Sequence, residues 1–251
     1  MIEGWELALV FVAGLLAGFV DSVAGGGGMI TLPVLLSFGL PPQLALGTNK
    51  LQAVFGSASA AIHYARCDAA VPRDCVAGFF YSFVGAAMGT LAVRQIDPGF
   101  LRLAIPCLLI AVAIYMLAQP KLGETDSTRR LNKATFDLLA GLGLGFYDGF
   151  FGPGTGTFWT MALMMFLGLN MVRATGNAKV MNFGSNLGSL IFFTAAGQVL
   201  LLPGLVMGVA QMIGARIGAG MVVTRGRAFI RPLFLTMVLA IALKLLWSAA
   251  K

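Results

Sequence analysis

Two lysines stand inside otherwise oily stretches, Lys50 in "LGTNKLQAVFGS" (46–57) and Lys179 in "TGNAKVMNFGSN" (175–186). An ammonium at the centre of a membrane helix costs on the order of 3 kcal/mol, so each requires a partner or a wet cavity. Lys50 and Lys179 are therefore candidates for the counter-charge of an anion. Thr48, Asn49, Gln52, Asn177, Asn182 and Asn186 are the neutral polar groups available beside them. Two carboxylates are equally isolated, Asp21 in "GFVDSVAGGGGMITLP" (18–33) and Asp148 in "GFYDGFFGPGTGTFWT" (145–160). Each is followed by a glycine-rich break. A helix that restarts after such a break presents unpaired N–H groups and the positive end of its dipole, which attract anions. The expected substrate contacts there are Gly25, Gly26, Gly27 and Gly28 in the first stretch, with Gly154 and Thr155 in the second. Asp21 and Asp148 are read as coupling or ion-pair groups: a carboxylate salt-bridged in one state and protonated in another could couple movement to protons.

Plainer readings stand beside these. Glycines also serve close helix packing in membranes, which is the expected use of Gly85-x-x-x-Gly89 and Gly214-x-x-x-Gly218. The lysines could snorkel to the nearer interface or form structural ion pairs with Asp21 or Asp148. His63, the sole histidine, reads as an interfacial anchor, and Arg216 as a snorkelling or substrate-contacting group. The methionines and Trp159 read as core or lipid-facing residues. Cys67, Cys75 and Cys107 show no metal-ligand spacing; a Cys67–Cys75 disulfide stays open, with small apolar packing preferred. The glycine runs lack the βαβ context of a nucleotide-binding loop. No nucleophile–base pair and no metal cluster is visible, so neither an enzyme nor a cofactor is expected.

The elements that must position these groups are membrane helices. The chain of 251 residues is 58% hydrophobic and 11% charged, with a mean hydropathy of +0.88, whereas soluble domains carry about 25% charged residues. Apolar segments fall at roughly 5–22, 28–39, 43–63, 75–95 and 98–119, then 134–150, 157–169, 172–196, 203–223 and 231–249. They lack the alternation of a membrane barrel. The net charge of +7 resides mainly in short loops, as topology signals do, so no nucleic-acid partner is expected. Glu3 and Glu6 argue against a secretory signal at the start.

The order long, short, long, long, long occurs twice, and letters recur with it. Gly18-Phe19-x-Asp21 returns as Gly145-Phe146-x-Asp148 and Gly25-x-Gly27 as Gly152-x-Gly154, at a shift of 127. Gly47-x-x-Lys50 returns as Gly176-x-x-Lys179, and Gly85-x-x-x-Gly89 as Gly214-x-x-x-Gly218, at a shift of 129. The chain thus divides into an N-terminal repeat 1–119, a linker 120–133 and a C-terminal repeat 134–251. The linker, with Lys121, Arg129, Arg130 and Lys133, is expected in the cytoplasm by the positive-inside rule. Counting outward puts Arg66, Arg73, Arg173, Arg225, Arg227 and Arg231 inside as well, and Arg94, Arg102 and Lys251 outside. Equivalent loops then face opposite sides. The expected fold is an all-α integral membrane protein of two inverted-topology repeats. Each has a broken or re-entrant helix pair followed by three transmembrane helices, with both termini extracytoplasmic.

The stretch "AGLLAGFVDSVAGGGGMITLPVLLSFGLPPQLALGTNKLQ" (13–52), with its weaker second copy, resembles the signature of the TauE/SafE family of sulfite and organosulfonate exporters. The resemblance spans nearly the whole chain and implies a multi-pass inner-membrane carrier in a family associated with sulfite, sulfoacetate and related C2 sulfonates. The second half departs from the first, with "GPGTGT" for "GGGG" and "TGNAK" for "LGTNK", so the half-sites need not contact substrate equally. The reading is a secondary transporter exporting a small sulfur-containing anion by alternating access, with membrane lipid as its surround and homodimerisation open. The alternatives are a carrier or channel for another small anion such as a carboxylate, or a non-transporting membrane subunit.

Overall fold

The computed structural model describes residues 4–101, 104, 107 and 128–225. Eight helices make up its named elements: α1 (Gly4–Ala24), α2 (Gly28–Ser37), α3 (Pro42–Arg66), α4 (Pro72–Val93), α5 (Lys133–Phe150), α6 (Thr155–Leu167), α7 (Met171–Ala195) and α8 (Leu201–Arg225). Each matches an expected apolar segment. Of the expected segment 98–119 only the residues just given are described. The segment 231–249 and most of the linker 120–133 lie outside the described residues.

Local chemistry sets the boundaries. α3 and α4 begin on Pro42 and Pro72, whose fixed φ and missing N–H suit a first helical turn. Asn132 and Asn170 cap α5 and α7, their side chains accepting the N–H of Ala134 and of Arg173 at 3.1 Å each. The two breaks turn on glycines in the left-handed region, Gly25 at φ 81° and Gly154 at φ 79°. A side chain there would be strained.

Among the described residues three helices are long and apolar enough to cross a membrane: Trp5–Ala24, Pro72–Val93 and Leu201–Arg225. Gly28–Ser37 and Thr155–Leu167 are shorter apolar helices. Large apolar side chains such as Trp5, Leu16, Phe80, Met88, Leu139 and Ile217 cover the outside. The inside is where the polar residues collect. α3 and α7 bury Thr48, Asn49, Lys50 and Gln52, and Asn177, Lys179, Asn182, Ser185 and Asn186. Trp159 is fully buried in the core beside Phe136.

The halves interlock rather than pack side by side. α8 of the second half lies against α1 of the first, and α4 of the first against α5 of the second. The contacts recur at the spacing of the sequence repeat. A Cβ on Gly214 would lie 2.0 Å from the Leu15 carbonyl oxygen and 2.9 Å from the Phe19 nitrogen. One on Gly85 would lie 2.4 Å from the Leu142 oxygen and 2.9 Å from the Phe146 nitrogen. The Gly-x-x-x-Gly faces are therefore packing surfaces, and what they join is one half to the other. Cys67, Cys75 and Cys107 are all free thiols, with Cys75 buried.

Candidate functional site

Both breaks end at the middle of the bundle, and their backbones touch. A Cβ on Gly25 would lie 2.3 Å from the Thr157 nitrogen and 2.6 Å from the Gly156 Cα. Thr157 adds a hydroxyl hydrogen bond to the Ala24 carbonyl. Removing side chains here lets α1–α2 and α5–α6 meet head to head, and α3 and α7 carry their lysines past the junction.

The lysines do not snorkel. Lys50 and Lys179 are 1% and 0% exposed, and each meets the aspartate of the opposite half. Lys50 Nζ lies 2.6 Å from Asp148 Oδ1, and Lys179 Nζ lies 3.0 Å from Asp21 Oδ2. Lys50 also donates to Asn186 Oδ1 at 3.3 Å, and Ser185 donates its hydroxyl to Asp148 Oδ2. Asp21 accepts the Gly27 N–H at 3.3 Å through its other oxygen. The ion-pair reading of the lysines is what the geometry adopts, crosswise between halves. Each ammonium is already balanced by a carboxylate, as burial demands, since an uncompensated buried charge costs several kcal/mol.

Between the pairs lies a small cavity lined by Asp21, Asp148, Asn49, Gln52, Asn182, Asn186 and Gln211, with glycines 25, 28, 152 and 156 at its walls. Its volume is about 20 Å³. One water requires roughly 10–15 Å³ by the same measure, so the cavity has room for water and too little for a four-heavy-atom sulfite. Three buried amide oxygens of this lining, Gln52 Oε1, Asn182 Oδ1 and Gln211 Oε1, have no hydrogen-bond partner among the described residues. Gln52 Nε2 donates to Asn49 Oδ1 at 2.8 Å, which leaves its oxygen without a partner. Asn49 Oδ1 also accepts the Thr31 hydroxyl.

Not every expected residue converges. Gly25, Gly28, Asn49, Gln52 and Asn182 line the cavity, and Lys50 and Lys179 hold its carboxylates. Gly26 and Gly27 form the turn into α2, the Met29 N–H donating to the Gly26 carbonyl and the Ile30 N–H to that of Gly27, and of the two Gly27 still reaches the site through its N–H on Asp21. Gly154 and Thr155 start α6 outside the lining, and the Thr155 hydroxyl returns to the Gly152 carbonyl at 2.7 Å. Thr48 and Asn177 serve elsewhere. Thr48 Oγ1 accepts the Leu200 N–H at 3.0 Å and Asn177 Oδ1 accepts the Val71 N–H at 3.1 Å, so the two clamp equivalent loops. Arg216 is exposed beside a lateral groove that also contains Arg66. Gln211, Ser185 and Gly156 belong to the site without having been singled out in sequence. Gln211 carried a signal, an amide in an apolar helix.

A second pocket of about 140 Å³ opens beside the end of the linker, lined by Arg129, Lys133 and Arg173 with Asp74, Asp137 and Asn177. Lys133 pairs with Asp137. The groove at the repeat-equivalent place has Glu6 where this pocket has Lys133, and is otherwise lined by Phe38, Leu40, Leu200, Leu201, Leu202 and Pro203. Among the described residues no group of His, Cys, Asp and Glu is arranged to hold a metal ion.

Comparison with known proteins identifies the family. The sequence model of the family described as "Sulfite exporter TauE/SafE" matches residues 10–245. A "Probable membrane transporter protein" of Haemophilus influenzae is 44% identical over 242 residues, covering 96% of this chain and 95% of the relative. The "Probable membrane transporter protein YfcA" of Escherichia coli K12 is 41% identical over 249 residues, 99% of this chain and 93% of its own. A plant relative, "Sulfite exporter TauE/SafE family protein 6" of Arabidopsis thaliana, is 28% identical over 109 residues, 42% of this chain and 24% of that protein. No solved structure matches the chain. These relatives are transporters and not enzymes, and the chain belongs to the TauE/SafE family of membrane transporters.

Proposed function

We propose that this protein is a secondary transporter that exports a small sulfur-containing anion, sulfite or a C2 organosulfonate such as sulfoacetate, across the inner membrane by alternating access. The observation that carries this reading is the pair of buried lysines held crosswise by Asp148 and Asp21 at the junction of two glycine-broken helices. Broken helices at the interface of two repeats are the arrangement from which many carriers build a midplane site. The small cavity, with too little room for the substrate, fits a conformation between loading and release.

The repeats are read as inverted in the membrane, with the linker cytoplasmic and both termini outside. Contacts that recur between opposite halves at shifts of 127 and 129 support the duplication. The pocket on the linker side, where Arg129, Lys133 and Arg173 outnumber Asp74 and Asp137, would gather anions from the cytoplasm, and the Glu6 groove would not hold them on the far side. A second reading, a carboxylate as substrate, is favoured by one observation: both ammoniums are already balanced by carboxylates.

Binding to the purified protein separates these readings. Sulfite, sulfate, sulfoacetate, taurine and acetate are compared on wild type, Lys50→Ala and Lys179→Ala. Saturable binding of sulfite or sulfoacetate that a lysine substitution abolishes is the expected result. Binding of acetate alone selects the carboxylate reading, and sulfur-anion binding indifferent to both substitutions moves the site elsewhere.

A further inference from the structure

The Asp21 carboxylate sits where an anion would. One oxygen meets the Lys179 ammonium at 3.0 Å and the other meets the Gly27 N–H at 3.3 Å, at the restart of a ten-residue helix. These are the two donors that a broken-helix anion site provides, and both are taken by a side chain of the protein. We propose that Asp21 is an internal stand-in for the substrate anion: substrate binds at Lys179 and Gly27 only when Asp21 takes up a proton and withdraws, so anion and proton bind together. This rests on the anion-carrier reading above and specifies which half-site loads and what accompanies the load.

Three features of the site lead there. The first is charge. The two crossed pairs make the site neutral, and an incoming monoanion with Asp21 still ionised would leave a buried excess of negative charge. Protonation of the Asp21 carboxylate restores neutrality at one proton per monoanion. The proton comes from water on the open side and leaves the same way when Asp21 returns to Lys179.

The second is accommodation. A protonated carboxyl must donate its hydrogen, and a buried donor without an acceptor is costly. The same cavity holds three buried amide oxygens with no partner, on Gln52, Asn182 and Gln211, so acceptors for an Asp21 hydroxyl are already in place.

The third is asymmetry. Asp148 is 3% exposed in its side chain and is held by Lys50 and the Ser185 hydroxyl; Asp21 is 16% exposed and, among the described residues, has no hydroxyl donor. The looser carboxylate is the one to exchange. Among the described residues the titratable groups facing Asp21 are Lys179 from α7, Asp148 from α5 across the cavity, and Tyr64 from α3, whose hydroxyl donates to the Ser22 carbonyl. Those facing Asp148 are Lys50 from α3 and Tyr147 from its own helix. α2, α4, α6 and α8 contribute no charged side chain to the cavity lining.

The test is calorimetric titration of the purified full chain with isethionate, a C2 sulfonate with one charge that does not titrate. Buffers of different ionisation enthalpy at neutral pH report the protons taken up. The expected result is uptake of about one proton per anion, with affinity falling about tenfold per pH unit in that range. Asp21→Asn binds with no proton uptake and a flat pH profile, Lys179→Met loses binding, and Asp148→Asn retains the uptake. Binding without proton uptake in wild type overturns the proposal while leaving an anion carrier intact. Uptake that survives in Asp21→Asn and disappears in Asp148→Asn overturns the choice of half-site. If no sulfur anion binds at all, the carrier reading fails and this proposal with it. The proton count on wild type decides the matter even where a variant does not fold.

Discussion

The two half-sites carry the same pair of charges in different settings. Around Asp148 the second-half helix α7 supplies Ser185 and Asn186, which hold the carboxylate and its lysine. The repeat-equivalent positions in α3 are Gly56 and Ser57. Gly56 leaves its space to Gln211, whose side-chain Cγ would lie 2.6 Å from a Cβ there, and Ser57 turns its hydroxyl back to the Ala53 carbonyl. One duplicated pair is thus fastened by hydroxyl and amide, while neither Gly56 nor Ser57 fastens the other, and unpartnered amide oxygens line the cavity between the two. A repeat with equal charges becomes a latch on one side and an exchangeable site on the other because the neighbours diverged.

The largest test of that contrast removes one partner of each pair. Lys50→Ala leaves Asp148 buried without its counter-charge, and breaking a buried pair in this way costs about 3–5 kcal/mol. Lys179→Ala leaves Asp21, which water reaches more easily, and costs less. Melting temperatures in detergent are expected to fall further for Lys50→Ala, and equal falls would erase the distinction between latch and exchangeable site.

Ser185→Ala sharpens the comparison at smaller scale. A hydrogen bond to a charged group is worth about 1.5–3 kcal/mol, so the variant should melt lower than wild type. Gly56→Ser, the reverse graft, should not raise stability, because Gln211 occupies the space. A rise in melting temperature for Gly56→Ser would contradict this packing.

The smallest effect is expected where the halves are alike. Thr48 and Asn177 each accept one loop N–H, from Leu200 and Val71. Thr48→Val and Asn177→Ala should each cost about 1 kcal/mol and leave isethionate affinity within a few-fold of wild type. A selective loss of affinity in either would return that residue to the binding site.

Much of this was legible in the chain. Apolar runs bounded by Pro42, Pro72, Asn132 and Asn170 gave helices where they were expected, because caps and prolines act locally. Lys50 and Lys179 announced a buried polar site, since an ammonium in an apolar run demands a partner. Which partner was not legible. Asp21 and Lys179 lie 158 residues apart, and Asp148 and Lys50 lie 98 apart, and no local rule links them. Thr48 and Asn177 looked like ligands because each neighbours a lysine. Helical geometry turns successive side chains about 100° apart, which sends these two toward the loops. Gln211 could be noticed as an amide in an apolar helix, but its place in the cavity depends on α8 lying against α1.

The sequence by itself determined the class, the break points and the inventory of charges. Hydropathy, glycine conformational freedom and the cost of an unpaired ammonium are properties of short stretches. Only the tertiary structure decided that the charges pair crosswise between halves, that Asp21 bridges the Lys179 ammonium and the Gly27 N–H, and that the cavity between the pairs is small. Those outcomes depend on how the interlocked helices bring distant residues within hydrogen-bond reach.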